Sequence, residues 1–346
     1  MIVVLGYYGF GNLGDEAILA VLCQDLEDLG FARQDILVVS GNPEQTSAQH
    51  GVGAIGRFEL VKLWQVLGST RCLIAGGGSL LQDVTSKRSI PYYLGIVELA
   101  LLRKVPVMMY GQGVGPVSTG CYRRWVKRAF ARSVAYSVRD TASAQFLADL
   151  GVTPQGGRLC ADPVFQKMRR SNPPSSGTSR LLLNLRPYAL WSQQRNLWLE
   201  LIAHWQGEGH VVEFIPLGPG DRELGEDLQG RRPALKVHPT LTLETVDQVY
   251  GGASCCISMR LHGIIFAVIQ DVLPLGLNYD PKVQVICEQL QIPYWELEDV
   301  STLGEGVVEV LANGERYGRL YRDALGELRK QALGNQVMLA QVLKQG

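Results

Sequence analysis

The 346-residue sequence predicts an α/β protein of two domains, each a parallel sheet covered by helices on both faces. Three observations predict it. Short, almost wholly apolar runs alternate with amphipathic stretches, a polar Pro- and Ser-rich segment divides the chain near its middle, and glycine clusters follow several of the runs. Residues 2–5 (Ile-Val-Val-Leu) read as the first strand, a Gly-rich turn follows, and residues 17–29, apolar at 18, 19, 22, 26 and 29, read as the first helix. The pattern repeats with strands at 36–39, 72–75, 107–110 and 134–138. Residues 166–179 lack any period and serve as the linker, which places the domains at 1–170 and 171–346. A second series has strands at 181–185, 211–215, 234–237, 255–258 and 273–277. Two similar domains facing each other make a cleft. Leu320, Ala324, Leu328 and Ala332, set among charged residues, mark a long amphipathic terminal helix.

Composition narrows the function. Lys+Arg and Asp+Glu balance at 33 each, and 46% of the residues are hydrophobic. That excludes disorder and gives no electrostatic reason for nucleic acid as a partner. The 39 glycines are dispersed, which marks tight turns and close backbone approaches. The seven cysteines (23, 72, 121, 160, 255, 256 and 287) form no CxxC pair and no Cys/His ligand spacing, so no metal is expected. Their odd count, with no basic region ahead of the first apolar run, favours a reducing cytoplasm. The longest apolar stretch, 263–277, is broken by Gln270, Asp271 and Pro274 and falls short of the ~20 residues a spanning helix needs.

Residues 9–14 (Gly-Phe-Gly-Asn-Leu-Gly) form a GxGxxG between the first strand and the first helix. A dinucleotide is disfavoured there. Asp15 and Glu16 suit the helix dipole but repel a pyrophosphate, and the second strand ends in Ser40-Gly41-Asn42, without a ribose-binding acid. A tight turn with a helix cap remains one reading, and a hydroxyl-rich ligand the other. Two more clusters, at 76–79 (Gly-Gly-Gly-Ser) and 111–116 (Gly-Gln-Gly-Val-Gly-Pro), fall at expected carboxyl ends of strands, where ligands of open α/β sheets bind. Turn geometry explains each singly; three on one edge point to a ligand floor.

In the second half, residues 258–263 (Ser-Met-Arg-Leu-His-Gly) lie where a strand passes into a helix spanning 264–270. Arg260 has the geometry to grip a carboxylate or phosphate, and His262 carries an imidazole, a side chain suited to passing a proton. A capping or core histidine is the plainer alternative. Arg139 likewise ends a strand of the first domain, and Lys282 follows the strand at 273–277. Each alone reads as a surface cation, but with Arg260 they make a pocket for a small, multiply charged anion.

These motifs, in their order, resemble the polysaccharide pyruvyl transferase family, in particular its CsaB type. The likeness is carried by residues 6–17, 76–79, 111–116, 138–140 (Val-Arg-Asp), 161–163 (Ala-Asp-Pro), 259–263 and 279–282 (Tyr-Asp-Pro-Lys). It implies a GT-B-like fold of two Rossmann-like domains, with the C-terminal helix returning to the first. It also implies a phosphoenolpyruvate donor, no further cofactor, and a pyruvate ketal on a sugar of a cell-wall or surface polysaccharide as product. His262 is then the catalytic acid, and Arg139, Arg260 and Lys282 hold phosphoenolpyruvate. The first domain holds the acceptor through Gly11, Asn12, Asp15, Glu16, Gly77, Gly78, Asp83 and Gln112, an assignment by position. In CsaB-type relatives the acceptor is a lipid-linked N-acetylmannosamine unit. That implies peripheral contact with the cytoplasmic membrane, through the helix bearing Arg123, Arg124, Lys127, Arg128 and Arg132 or with those residues as a solvated face. The alternative on such a scaffold is a sugar-nucleotide glycosyltransferase or epimerase.

Overall fold

A computed structural model of the chain describes residues 1–83, 88–153, 156–167 and 179–345. Most of the expected linker, 168–178, lies outside the described residues. The chain forms two compact units: Met1–Phe10, Asp15–Gln166 and Leu328–Gly346 make the first, and Gly11–Gly14 and Lys167–Glu327 the second.

The first unit runs β1 (Ile2–Tyr8), α1 (Leu13–Asp28), β2 (Ile36–Ser40), α2 (Pro43–His50), β3 (Gly53–Gly56), α3 (Leu60–Leu67), β4 (Cys72–Ala75), β5 (Gly78–Leu81), α4 (Ser89–Leu102), β6 (Val107–Val114), α5 (Gly120–Arg132), β7 (Ala135–Val138), α6 (Thr141–Asp149) and β8 (Gly157–Leu159). Its sheet is parallel throughout, ordered β3-β2-β1-β4-β6-β7-β8, with β5 beside β6. Strand alternation sorts the side chains into two cores. Val3, Leu5, Leu73, Val107 and Met109 pack under α3 to α6, through Leu63, Leu94, Phe130 and Leu147. Ile2, Val4, Ile74, Met108 and Tyr110 face the other way, against Leu19, Leu22 and Leu26 of α1 and the buried Met338, Leu339 and Leu343 near the C-terminus. Covering both faces explains why these strands are apolar without interruption.

The second unit runs β9 (Arg180–Asn184), α7 (Trp191–Gly207), β10 (Val211–Phe214), α8 (Asp221–Arg231), β11 (Lys236–Val237), α9 (Val246–Tyr250), β12 (Cys255–Ser258), α10 (Leu261–Ile269), β13 (Leu273–Asn278), α11 (Pro281–Leu290), β14 (Tyr294–Glu296) and α12 (Leu303–Ala312). Its six strands are all parallel, in the order β11-β10-β9-β12-β13-β14. The terminal helix α13 spans Gly314–Gln345, and its residues from Leu328 onward belong with the first unit. Among the described residues no helix is long and apolar enough to cross a membrane.

Two expectations shift. The glycine cluster at 111–116 is not a loop beyond its strand: Gly111–Val114 continue β6, with a register irregularity against β7 between Met109 and Gln112. Helix α1 begins at Leu13, four residues ahead of the apolar period, because its first turn carries Asp15 and Glu16, which suit the dipole but break the hydrophobic pattern.

Candidate functional site

In the second unit, the carboxyl edge of the sheet carries a connected polar network. Asn184 ends β9 and Ser258 ends β12, and both are fully buried. Asp221, the first residue of α8, is also fully buried and accepts from Asn184 Nδ2 (3.1 Å), the Leu217 N–H (3.0 Å) and Arg260 Nε (2.7 Å) through Oδ2. Its Oδ1 takes Arg260 Nη2 at 2.5 Å. The Arg260 backbone N–H donates to Ser258 Oγ (3.0 Å), which fixes the residue at the N-cap of α10. Gly218 leaves the space for this guanidinium, since a Cβ there would lie 2.7 Å from Arg260 Cζ.

His262 is the second residue of α10 and half-buried, its ring tilted against Phe266 at 6.3 Å between centroids. The segment Gly11–Gly14, which counts with this unit, lies against it: the Leu13 N–H donates to Leu217 O (2.9 Å), and a Cβ on Gly14 would come within 2.1 Å of His262 Nδ1. Asn12 Oδ1 accepts the Gly14 N–H (3.3 Å). Gly11 has φ +71° and open space where a Cβ would stand.

At the next strand end, Asp280 caps α11 by accepting the Lys282 N–H (3.2 Å) and pairs with Lys282 Nζ (3.2 Å). Lys282 also lies 5.5 Å from the Tyr279 ring centroid. Arg186 Nη1 donates to Tyr279 Oη (2.6 Å), with its guanidinium carbon 4.6 Å from the ring centroid. Because β9, β12 and β13 are adjacent, Arg186 and Tyr279 meet across strands roughly 10 Å apart. The edge therefore carries three cations, Arg186, Arg260 and Lys282, with two carboxylates, Asp221 and Asp280, which orient two of them. Sequence reasoning gave Tyr279 no role beyond its place in the 279–282 motif, and missed Arg186 and Asp221. The last was findable, since residues 218–221 (Gly-Pro-Gly-Asp) follow β10 just as the recognised clusters follow theirs.

Within the first unit, several of the expected residues gather around one side chain. Arg139, at the end of β7, is buried, and donates to Asp162 Oδ2 (3.1 Å) and Ser79 Oγ (2.9 Å); its Nε lies 3.6 Å from Asp140 Oδ2. Asp140 caps α6 by accepting the Ser143 N–H (2.7 Å). Three motifs thus converge on one guanidinium. Gln112 is fully buried and donates to the carbonyls of Ala75 and Gly76, both at 2.8 Å. Gly77 packs against Gly111 O, and a Cβ on Gly78 (φ +95°) would lie 2.7 Å from Asp15 Oδ1. Asp15 and Glu16 are both buried. Glu16 accepts the Gly9 N–H (2.8 Å) on one oxygen and pairs with buried His50 Nε2 (2.9 Å) on the other. Burial opposes ionisation of Asp83, but the N–H groups of Ser118 and Thr119 outweigh it and hold the carboxyl down at about 2. Glu16 and Asp83 are thereby engaged within the fold.

The polysaccharide pyruvyl transferase family model matches residues 12–281. No curated protein sequence matches the chain. Among solved structures, the chain resembles Anabaena HepE in complex with UDP (TM-score 0.66, 10% identity, 100% of both chains covered). It also resembles a glycosyltransferase from Rickettsia africae (0.63, 10%, 99% of this chain and 96% of that one) and the UDP-GlcNAc 2-epimerase of Methanocaldococcus jannaschii (0.64, 10%, 90% and 92%). At such identities the likeness concerns the fold, which is that of the GT-B glycosyltransferases and epimerases.

Proposed function

Because the chain belongs to the polysaccharide pyruvyl transferase family, we propose that it transfers the three-carbon unit of phosphoenolpyruvate onto two hydroxyls of one sugar as a ketal, releasing phosphate. The observation that supports this reading is the set Arg186, Arg260 and Lys282 at one sheet edge with His262, cations and a proton donor suited to a small, multiply charged anion. His262 protonates the methylene carbon, and positive charge develops at the carbon bearing phosphate. The first sugar hydroxyl adds there, and the proton it loses restores the imidazolium. As the second hydroxyl closes the ring, the carbon–oxygen bond to phosphate breaks, and its proton leaves with the phosphate. Arg260 and Lys282 hold the carboxylate and the departing phosphate, with Arg186 beside them. In this scheme Gly11 and Asn12, in the turn just ahead of the Gly14 that abuts His262, meet the arriving acceptor hydroxyl. The acceptor belongs to a cell-wall or surface polysaccharide precursor, met on the cytoplasmic side.

The test is phosphate release from phosphoenolpyruvate in the presence of candidate glycans, with mass spectrometry of the glycan. Release that depends on glycan and yields a ketal adduct is the expected result. A second reading, transfer from or epimerisation of a nucleotide sugar, draws on the UDP held by HepE. Tight binding of a UDP-sugar with no response to phosphoenolpyruvate would establish it instead.

A further inference from the structure

The outer surface of α3 does not look like the outside of a soluble helix. Leu63 and Leu67 are buried in the core beneath it, yet Phe58 (76% exposed), Leu60 (47%), Val61 (75%) and Trp64 (39%) are turned outward. On the helix, positions 60 and 64, and 61 and 64, are spaced four and three residues apart, and Phe58 stands just ahead of its N-cap Glu59, so the exposed side chains form one apolar patch beside the buried face. The patch continues onto the end of α4. Arg103 lies over the Trp64 ring at 4.8 Å, and Leu102, just before it, is 67% exposed. At the other end, the Phe58 ring meets Tyr92 of α4 edge-on at 6.1 Å.

The rim of this patch is basic. Lys62, Arg103 and Lys104 are exposed around it and Arg57 stacks on Phe58 at 4.9 Å, against one exposed carboxylate, Glu59, which lies 3.7 Å from Lys62. Helix α5, on the far side of α4 in the same layer, adds Arg124, Lys127, Arg128 and Arg132 on its exposed face. Of these, Arg128 and Arg132 share Glu98, which leaves a net positive layer on a chain of zero net charge. Arg123 is set apart from them, donating to Val117 O (3.3 Å) and stacking on Phe146.

We infer that the α3–α4 face seats on an anionic lipid bilayer, with Phe58, Leu60, Val61, Trp64 and Leu102 entering the headgroup boundary and the cations of α3, α4 and α5 meeting the lipid phosphates. Aromatic and aliphatic side chains surrounded by Lys and Arg are what such an interface takes up, and it demands no shape complement from the protein. A second copy of the chain fits worse, because a twofold contact on this patch sets Lys62, Arg103 and Lys104 against a matching set of like charges.

Co-sedimentation with vesicles of phosphatidylcholine alone and of phosphatidylcholine with phosphatidylglycerol tests the inference, with no substrate added, so that its outcome is separate from that of the pyruvyl-transfer reading. The chain is expected to sediment with the anionic vesicles, less so as salt rises, and poorly with the neutral ones. Phe58→Ser/Val61→Asp alters two side chains that are about three-quarters exposed, so the fold should be retained, as an unchanged melting temperature will confirm. It should lower partitioning on the order of tenfold or more. Lys62→Glu/Lys104→Glu should weaken anionic binding alone. Absence of binding to both vesicles, variants that bind as the parent does, or a concentration-dependent dimer lost in the Phe58/Val61 variant without any vesicle binding would each overturn it.

Discussion

Asp221 holds Arg260 by two parallel bonds, from Nε at 2.7 Å and Nη2 at 2.5 Å, with the carboxylate fully buried and the guanidinium side chain 12% exposed. In the pyruvyl-transfer reading, this aims the cation proposed to hold the donor through a residue set behind it. Asp221→Asn keeps an acceptor for one of the two bonds but removes the charge. The expected result is a rise of about tenfold in KM for phosphoenolpyruvate with kcat within about twofold, read from phosphate release. Arg260→Ala should weaken the donor further. An equal fall in kcat for Asp221→Asn would make Arg260 part of the chemical step instead of the grip on the donor.

Gly14 gives His262 its position. A methyl group there would stand 2.1 Å from Nδ1, so Gly14→Ala must turn the imidazole away while leaving the helix, which favours Ala, intact. Turnover should fall on the order of 10²-fold, the scale expected for a misplaced catalytic group, with phosphoenolpyruvate affinity nearly unchanged. His262→Ala should show the same pattern. Because both changes act through one ring, Gly14→Ala/His262→Ala should be no slower than His262→Ala alone. Additive losses would assign the glycine to substrate binding.

Arg139 is surrounded by acceptors, with Asp162, Asp140 and Ser79 all within reach of a guanidinium whose side chain is 5% exposed. Removing it leaves two carboxylates without their cation. Arg139→Ala should therefore destabilise the first unit by about 3–5 kcal/mol, measured by chemical denaturation. A variant that remains as stable as the parent and loses only phosphoenolpyruvate affinity would return Arg139 to the role of a donor ligand.

Parallel strands buried on both faces leave an unmistakable trace in sequence, and residues 72–75 and 255–258 have the bounds that the apolar runs predict. β3 and β5 leave none. β3 reads Gly-Ala-Ile-Gly and β5 Gly-Ser-Leu-Leu, compositions that local propensity assigns to turns and that are paired only through their neighbours. The site was legible in the same uneven way. Arg260, His262 and Lys282 stand at strand-to-helix junctions, where position alone marks them, whereas Arg186 is recognisable only once Tyr279, ninety-three residues later, is seen to accept from it. Nor does any local signal say that Glu16 is spent on His50, thirty-four residues away.

The core of the first unit contains a carboxyl that titrates in the physiological range. Burial pushes Asp25 up to about 6, against the weaker opposing effect of hydrogen bonds from Tyr110 Oη (2.7 Å) and Gln166 Nε2 (3.3 Å). Its folded value lies above the unfolded one, so the neutral form favours the fold. That contribution is complete below the unfolded value near 4 and is lost as pH rises through about 6. Asp25→Asn retains an acceptor for the tyrosine and cannot ionise. The melting temperature of the parent relative to Asp25→Asn should therefore fall between pH 5 and pH 8 by the equivalent of about 1.5 kcal/mol, roughly half the worth of the shift, the other half being lost between about pH 3 and pH 5. Gln166 also donates to Ala332 O of α13 (3.3 Å), so ionisation of Asp25 should loosen the helix that closes this face. Hydrogen exchange of the α13 amides, faster at pH 8 than pH 5 after correction for the intrinsic rate and level in Asp25→Asn, checks that link. Equal pH dependence in the two proteins would show that Asp25 stays ionised in the folded state throughout.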